Sequence, residues 1–80
     1  MFRVEWEPSA SDHFAAISMA HPDRWEAINA ADNDIGKKLL RDPLKYSEAV
    51  SEGLRRIISD PLVVYFSIDG DQVNVEALVD

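Results

Sequence analysis

The chain has 80 residues, 46% of them apolar and 29% charged, a balance that suits one globular domain and leaves no room for a second core. It has no cysteine, which excludes a disulfide framework and a thiolate metal site, and no apolar run approaches the roughly 20 residues of a membrane helix. A net charge of −7 excludes generic nucleic-acid binding, which needs an excess of Lys and Arg to displace counterions from phosphates.

The first element is a strand over residues 2–7. Phe2, Val4 and Trp6 alternate with Arg3, Glu5 and Glu7, as one buried face requires, and Pro8 ends the ladder because it has no N–H to donate. Ser9 is placed to cap a first helix whose apolar stripe is Ala10, Phe14 and Ile17. His21-Pro22 ends that helix, since a residue before proline avoids the α region. Asp23 and Glu26 have capping-box spacing, and the helix they open runs to about Leu40 with Trp25, Ile28, Ala31, Ile35 and Leu39 inward. Asp42-Pro43 stops it, and two helices with a short link make an antiparallel hairpin.

Residues 44–53 read as a returning loop. A strand follows over Leu54–Ser59, with Arg55 and Arg56 on opposite faces by alternation. After Asp60-Pro61, residues 62–68 (Leu-Val-Val-Tyr-Phe-Ser-Ile) are almost continuously apolar, the pattern of an interior strand. Asp69-Gly70 signals a two-residue hairpin, and the last strand, Gln72–Val79, places Val73, Val75, Ala77 and Val79 on one face. The expected fold is α+β in the order β-α-α-β-β-β: a four-stranded, mainly antiparallel sheet with a two-helix hairpin on one face. Its expected core is Phe2, Val4, Trp6, Phe14, Ile17, Ile28, Ile35, Leu39, Val64, Phe66 and Val75.

This order, and residues along nearly the whole chain, resemble the RelE/ParE superfamily of bacterial type II toxin–antitoxin toxins. The residues Val4-Glu5-Trp6-Glu7-Pro8-Ser9-Ala10 are similar to the family's opening strand and helix start. Asp42-Pro43 matches its turn after the second helix, and Gly53-Leu54-Arg55-Arg56-Ile57 its entry to the second strand. Residues 61–73 resemble its signature of apolar strand, Tyr, Asp, hairpin and Val. The resemblance implies one RelE/ParE-like domain over residues 1–80, with an active form that is a ribosome-dependent endoribonuclease or a gyrase poison. It also implies departures: Leu62 stands where the ribonuclease branch has an Arg, and Val79-Asp80 stands where that branch begins a terminal catalytic segment.

The charges are unevenly spread. Residues 37–56 hold Lys37, Lys38, Arg41, Lys45, Arg55 and Arg56 against Asp42, Glu48 and Glu52, a balance of +3, while the remainder carries −10. From that island Arg55 and Arg56 are the candidate catalytic residues, since one matches the family's second-strand Arg and a guanidinium holds a phosphate bidentately. Lys45 and Tyr46 are the candidate RNA contacts, the tyrosine as a stacking surface for a base. Tyr65 is expected in the core. His13 and His21, eight apart on separate elements with no Cys, do not make a zinc site, and no cofactor is expected.

The functional expectation is therefore a toxin-like component of a plasmid-stabilisation type module, with weak or no nuclease activity. The competing reading is a non-catalytic, protein-binding or self-associating domain on the same scaffold. The expected partner is a small antitoxin or a second copy, with RNA, ribosome or gyrase added only for an active form. Met1–Trp6 contains no apolar segment of signal-peptide length, so the expected location is the cytoplasm.

Overall fold

The computed structural model describes residues 1–80. Five strands form one mixed sheet: β1 (Arg3–Trp6), β2 (Glu48–Ser51), β3 (Leu54–Ser59), β4 (Leu62–Asp69) and β5 (Gln72–Val79). Two helices, α1 (Pro8–Ala20) and α2 (Trp25–Arg41), lie between β1 and β2 in the chain, linked by a 3₁₀ turn at Pro22–Arg24. The strand order is β1-β5-β4-β3-β2. Only β1 runs parallel to its neighbour, with Val4 beside Val73 and Trp6 beside Val75, and every other pairing is antiparallel. The largely apolar segment 62–68 is interior, between β5 and β3, as its nearly continuous hydrophobicity predicts.

The class is as expected, with one strand more. Residues 48–51 pair with β3 through Glu48↔Arg56, Ala49↔Arg55 and Ser51↔Leu54. All four are exposed, so this edge strand carries no apolar alternation, and backbone pairing across a tight turn holds it instead. That turn is Glu52-Gly53, where Gly53 has φ +77°, a conformation that a side chain would strain.

One core joins both helices to one face of the sheet. It consists of Ala10 and Ile17 from α1, Ile28, Ala31, Ile35 and Leu39 from α2, and Ile57, Leu62, Val64, Phe66, Val73, Val75 and Leu78 from the sheet. Phe2, Val4 and Phe14 pack at its margin. Trp6 is 37% exposed, its ring edge-on to Phe14 at 5.9 Å, and Trp25 is 59% exposed rather than inward. The helix containing Trp25 starts later than expected. Arg24 precedes it without a side-chain cap, and Asp23 lies in the 3₁₀ turn, so the first inward position is Ile28.

Ser9 also serves differently from the expected cap. Pro8 occupies the first turn of α1, where its missing N–H costs nothing, and Glu7 precedes it with no side-chain cap bond. The Ser9 hydroxyl instead donates to the Glu76 carbonyl at 3.0 Å. Nearby, the Leu78 amide donates to His13 Nδ1 at 3.2 Å. Both bonds fall where β5 bulges, since Tyr65 pairs with Ala77 but Phe66 with Val75, leaving Glu76 as the extra residue. The bulge reverses the alternation, so that Leu78 enters the core and Ala77 and Val79 turn away from it.

Asp32, on the flank of α2, is half-buried, and desolvation raises its carboxyl above the ordinary carboxylate range. A carboxyl whose folded value is raised opposes folding when ionised, and that penalty fades as pH falls toward the unfolded value. Asp32→Asn is therefore expected to raise the denaturation midpoint at pH 7 and to give no advantage in acid, where Asp32 itself is protonated. Denaturant titrations at neutral and acid pH check this. An equal gain at both would assign the effect to something other than ionisation.

Candidate functional site

Register fixes which side chains share the face that no helix covers, because paired residues project to the same side. Three rows result. At one end Ile58, Val63 and Val79 lie side by side across β3, β4 and β5. Next come Glu48, Arg56, Tyr65 and Ala77 across four strands. Beyond them the face turns polar, with Ser67, Asn74 and Glu5 in register and Gln72 donating to Asn74 Oδ1 at 2.8 Å and Glu5 Oε2 at 3.3 Å. This face thus has an apolar row at one end, the Glu48–Arg56 ion pair beside Tyr65 and Ala77 in the middle, and a hydrogen-bonded polar ladder at the other end.

Arg55 and Arg56 do project to opposite sides. Arg55 points to the helix side, where its guanidinium is committed to the chain's own loop. Its Nε donates to Ser47 Oγ at 2.8 Å and its Nη2 to the Ser47 carbonyl at 3.1 Å. Ser47 Oγ in turn donates to the Pro43 carbonyl, and the Lys45 amide donates to Asp42 Oδ1 at 3.2 Å. Residues 42–47 are therefore fastened to β3 by a planar donor fork and a small turn. Arg55 also borders a cleft of about 290 Å³ with Leu44, Leu54 and Ile68.

Arg56 projects to the helix-free face and meets Glu48 across the β2–β3 pair at 2.5 Å. Its guanidinium is pushed above its ordinary value, first by Glu48 and then by the Tyr65 hydroxyl. Tyr65 thus stands beside Arg56 on this face, half-buried, and not in the core where it was expected. Sequence parity could have found this, since Phe66 must point inward if Tyr65 points out. No sequence signal marked Glu48, which falls in a segment without periodicity.

Lys45 and Tyr46 sit at the margin of the same face. With Ser47, Glu48, Arg56 and Ile58 they line a cleft of about 260 Å³. The structure therefore brings three of the four candidate residues together and sends Arg55 elsewhere. The Tyr46 ring already carries two cations, since the Lys38 and Lys45 ammonium groups each lie 5.4 Å from its centroid. A stacking base would have to compete with them. Lys38 is also held by Asp34 at 2.8 Å, an i,i+4 pair that lowers the Asp34 carboxyl below its ordinary value. Lys45 has no carboxylate within ion-pair distance.

Chemically, the site offers the Lys45 ammonium beside an Arg56 guanidinium already paired with Glu48, and apolar contact along the Ile58 row. No group of three or more His, Cys, Asp or Glu is arranged to hold a metal ion, and no helix is long and apolar enough to cross a membrane.

No family model and no curated protein matches the chain. Solved structures do. A chain from the chromosomal ParDE toxin–antitoxin system of P. aeruginosa superposes with a TM-score of 0.79 at 16% identity, covering 98% of this chain and 94% of that one. The solution structure of a conserved hypothetical protein from Helicobacter pylori superposes with a TM-score of 0.64 at 13% identity, covering 98% and 92%. At such identities the likeness is one of architecture, and it agrees with the motifs read along the sequence. The chain shares the fold of these two structures, the architecture that the residue-level resemblance to the RelE/ParE superfamily implied.

Proposed function

We propose that this chain is the toxin-like member of a bacterial type II toxin–antitoxin pair of the plasmid-stabilisation type, and that it works by binding rather than by cutting RNA. The fold and the ParDE neighbour support the first half. The second half rests on one observation: on the helix-free face the only β3 cation, Arg56, is already neutralised by Glu48. Cleaving a phosphodiester needs cations aimed at the developing charge and a group that moves protons. Arg55 is spent on the loop, and Leu62 is fully buried, with no charge to offer. Each missing stabiliser lowers a rate by about 10²–10³.

Two measurements test this. Expression of the chain alone in a bacterial host is expected to give no ribosome-dependent messenger cleavage and no strong growth arrest. Marked arrest abolished by Arg56→Ala would restore an active nuclease. Arrest that survives both Arg55→Ala and Arg56→Ala would keep the binding mechanism, with a target such as gyrase. Co-expression with a small protein encoded beside the chain is expected to yield a stable complex. Failure to form one removes the toxin–antitoxin reading and leaves the alternative, a non-catalytic protein-binding or self-associating domain on the same scaffold.

A further inference from the structure

β5 spans eight residues and its outer neighbour β1 only four, so β1 covers Gln72–Val75 and leaves residues 76–79 with no strand beside them. Backbone N–H and C=O groups on such an edge need other partners. The last main-chain bond from the β1 side runs from the Glu7 amide to the Val75 carbonyl at 2.8 Å. From there side chains of α1 take over. The Ser9 hydroxyl donates to the Glu76 carbonyl at 3.0 Å, and one helical turn on the Leu78 amide donates to His13 Nδ1 at 3.2 Å. At the end of the same helix His21 Nε2 lies 2.8 Å from Asp80 Oδ2.

The bond to His13 exists in one protonation state only. Nδ1 accepts a hydrogen bond when it carries no proton, so the ring is neutral with its hydrogen on Nε2. A protonated imidazole has two donors and no acceptor, and would set N–H against the Leu78 N–H. The His21 contact answers in the opposite sense, since a protonated ring pairs more strongly with the Asp80 carboxylate. The charged groups of the elements packed against α1 are Glu76 on β5, Asp80 just beyond it, and Asp23 and Arg24 in the 3₁₀ turn, with Asp12 beside His13 in the chain. No carboxylate lies within ion-pair distance of His13, so none offsets the acceptor that a proton removes. His13 is exposed, so protons reach it without unfolding.

We infer that His13 is a proton-operated catch on the end of β5. Neutral, it holds the Leu78 amide against α1; protonated, it lets that end of the strand loosen. An imidazole ordinarily titrates near about 6.5, so a bond made only by the neutral ring is present above that value and lost as pH falls through it. Leu78 belongs to the core and its neighbour Val79 to the apolar row, so an open catch disturbs the buried layer and the bare face together.

The test follows the ring nitrogens and the backbone amide exchange of the ¹⁵N-labelled chain at about pH 8 and about pH 5. At the higher pH His13 is expected as the Nε2–H tautomer with Nδ1 bare. Protection of the Leu78 amide, corrected for the intrinsic pH dependence of exchange, should fall about fivefold or more at the lower pH, while that of Val64 and Phe66 in β4 holds. His13→Asn keeps a side-chain acceptor that cannot titrate, so Leu78 should stay protected at both values. His13→Ala should leave it weakly protected at both, and His21→Gln should leave the fall unchanged.

Equal protection of Leu78 at both pH values in the parent chain, an Nδ1–H tautomer at the higher pH, or a fall that persists in His13→Asn would overturn the inference. So would a fall shared equally by Val64 and Phe66, which is global acid unfolding. A fall that vanishes in His21→Gln would also overturn it, since the titrating group would then be His21.

Discussion

Leu62→Arg is expected to leave the chain largely unfolded at 25 °C. Leu62 opens β4 on the helix side of the sheet and has no exposed surface. It stands where the ribonuclease branch carries an arginine, so this is the substitution that sequence comparison alone would choose to restore activity. Physically it does the opposite. It removes a buried Leu, worth about 1.5–3 kcal/mol, and an uncompensated buried charge costs roughly a further 3–5 kcal/mol. A domain of this size sits toward the low end of about 5–15 kcal/mol of total stability, so the sum removes most of it. Far-UV circular dichroism and a denaturant titration read the outcome. A melting temperature close to that of the parent would mean that the guanidinium escapes past the turn at Asp60-Pro61, and position 62 would then remain open to function.

Phe66→Ala should cost about 3–5 kcal/mol, the loss expected for a fully buried aromatic whose site cannot collapse. Phe66 has no exposed surface and is the largest of the fully buried side chains. It pairs with Arg55 on one side and Val75 on the other, beneath the helices. Tyr65→Ala, one residue earlier, gives the contrast: its side chain faces outward, so its loss should be much smaller. Urea midpoints of the two variants measure the difference. A cost below about 1 kcal/mol for Phe66 would mean that the facing of β4 is reversed.

Those two neighbours show how far the sequence could be read. The segment 62–68 was legible as an interior strand because its apolar run is long and rich in β-formers. Which of its side chains faces the helices was less legible, because an interior strand lacks the polar alternation that marks facing. Tyr65 was misplaced although parity with the inward Val64 and Phe66 puts it on the other face, and Val79 and Ala77 were misplaced because a bulge at Glu76 shifts the phase of β5. Arg55 and Arg56 were assigned to opposite faces correctly, since strict alternation in β3 holds. That Arg55 fastens a loop was invisible, because its acceptors are backbone carbonyls and a serine eight positions earlier. β2 was missed because all of its residues are exposed, although Glu52-Gly53 between Ser51 and Leu54 is a turn signal of moderate strength. His13 had no reason to stand out, and its role as acceptor for Leu78 exists only once helix and bulge meet.

The parallel pairing of β1 with β5 has a consequence for timing. Arg3 lies beside Gln72, so β1 has no partner in the sheet until β5, nearly 70 residues on, is in place. Contacts that distant in sequence form late and slow the closing step of folding. Val79 completes the apolar row, so a chain still in synthesis has Ile58 and Val63 but no finished surface. The row is complete only once β5 has docked against β4.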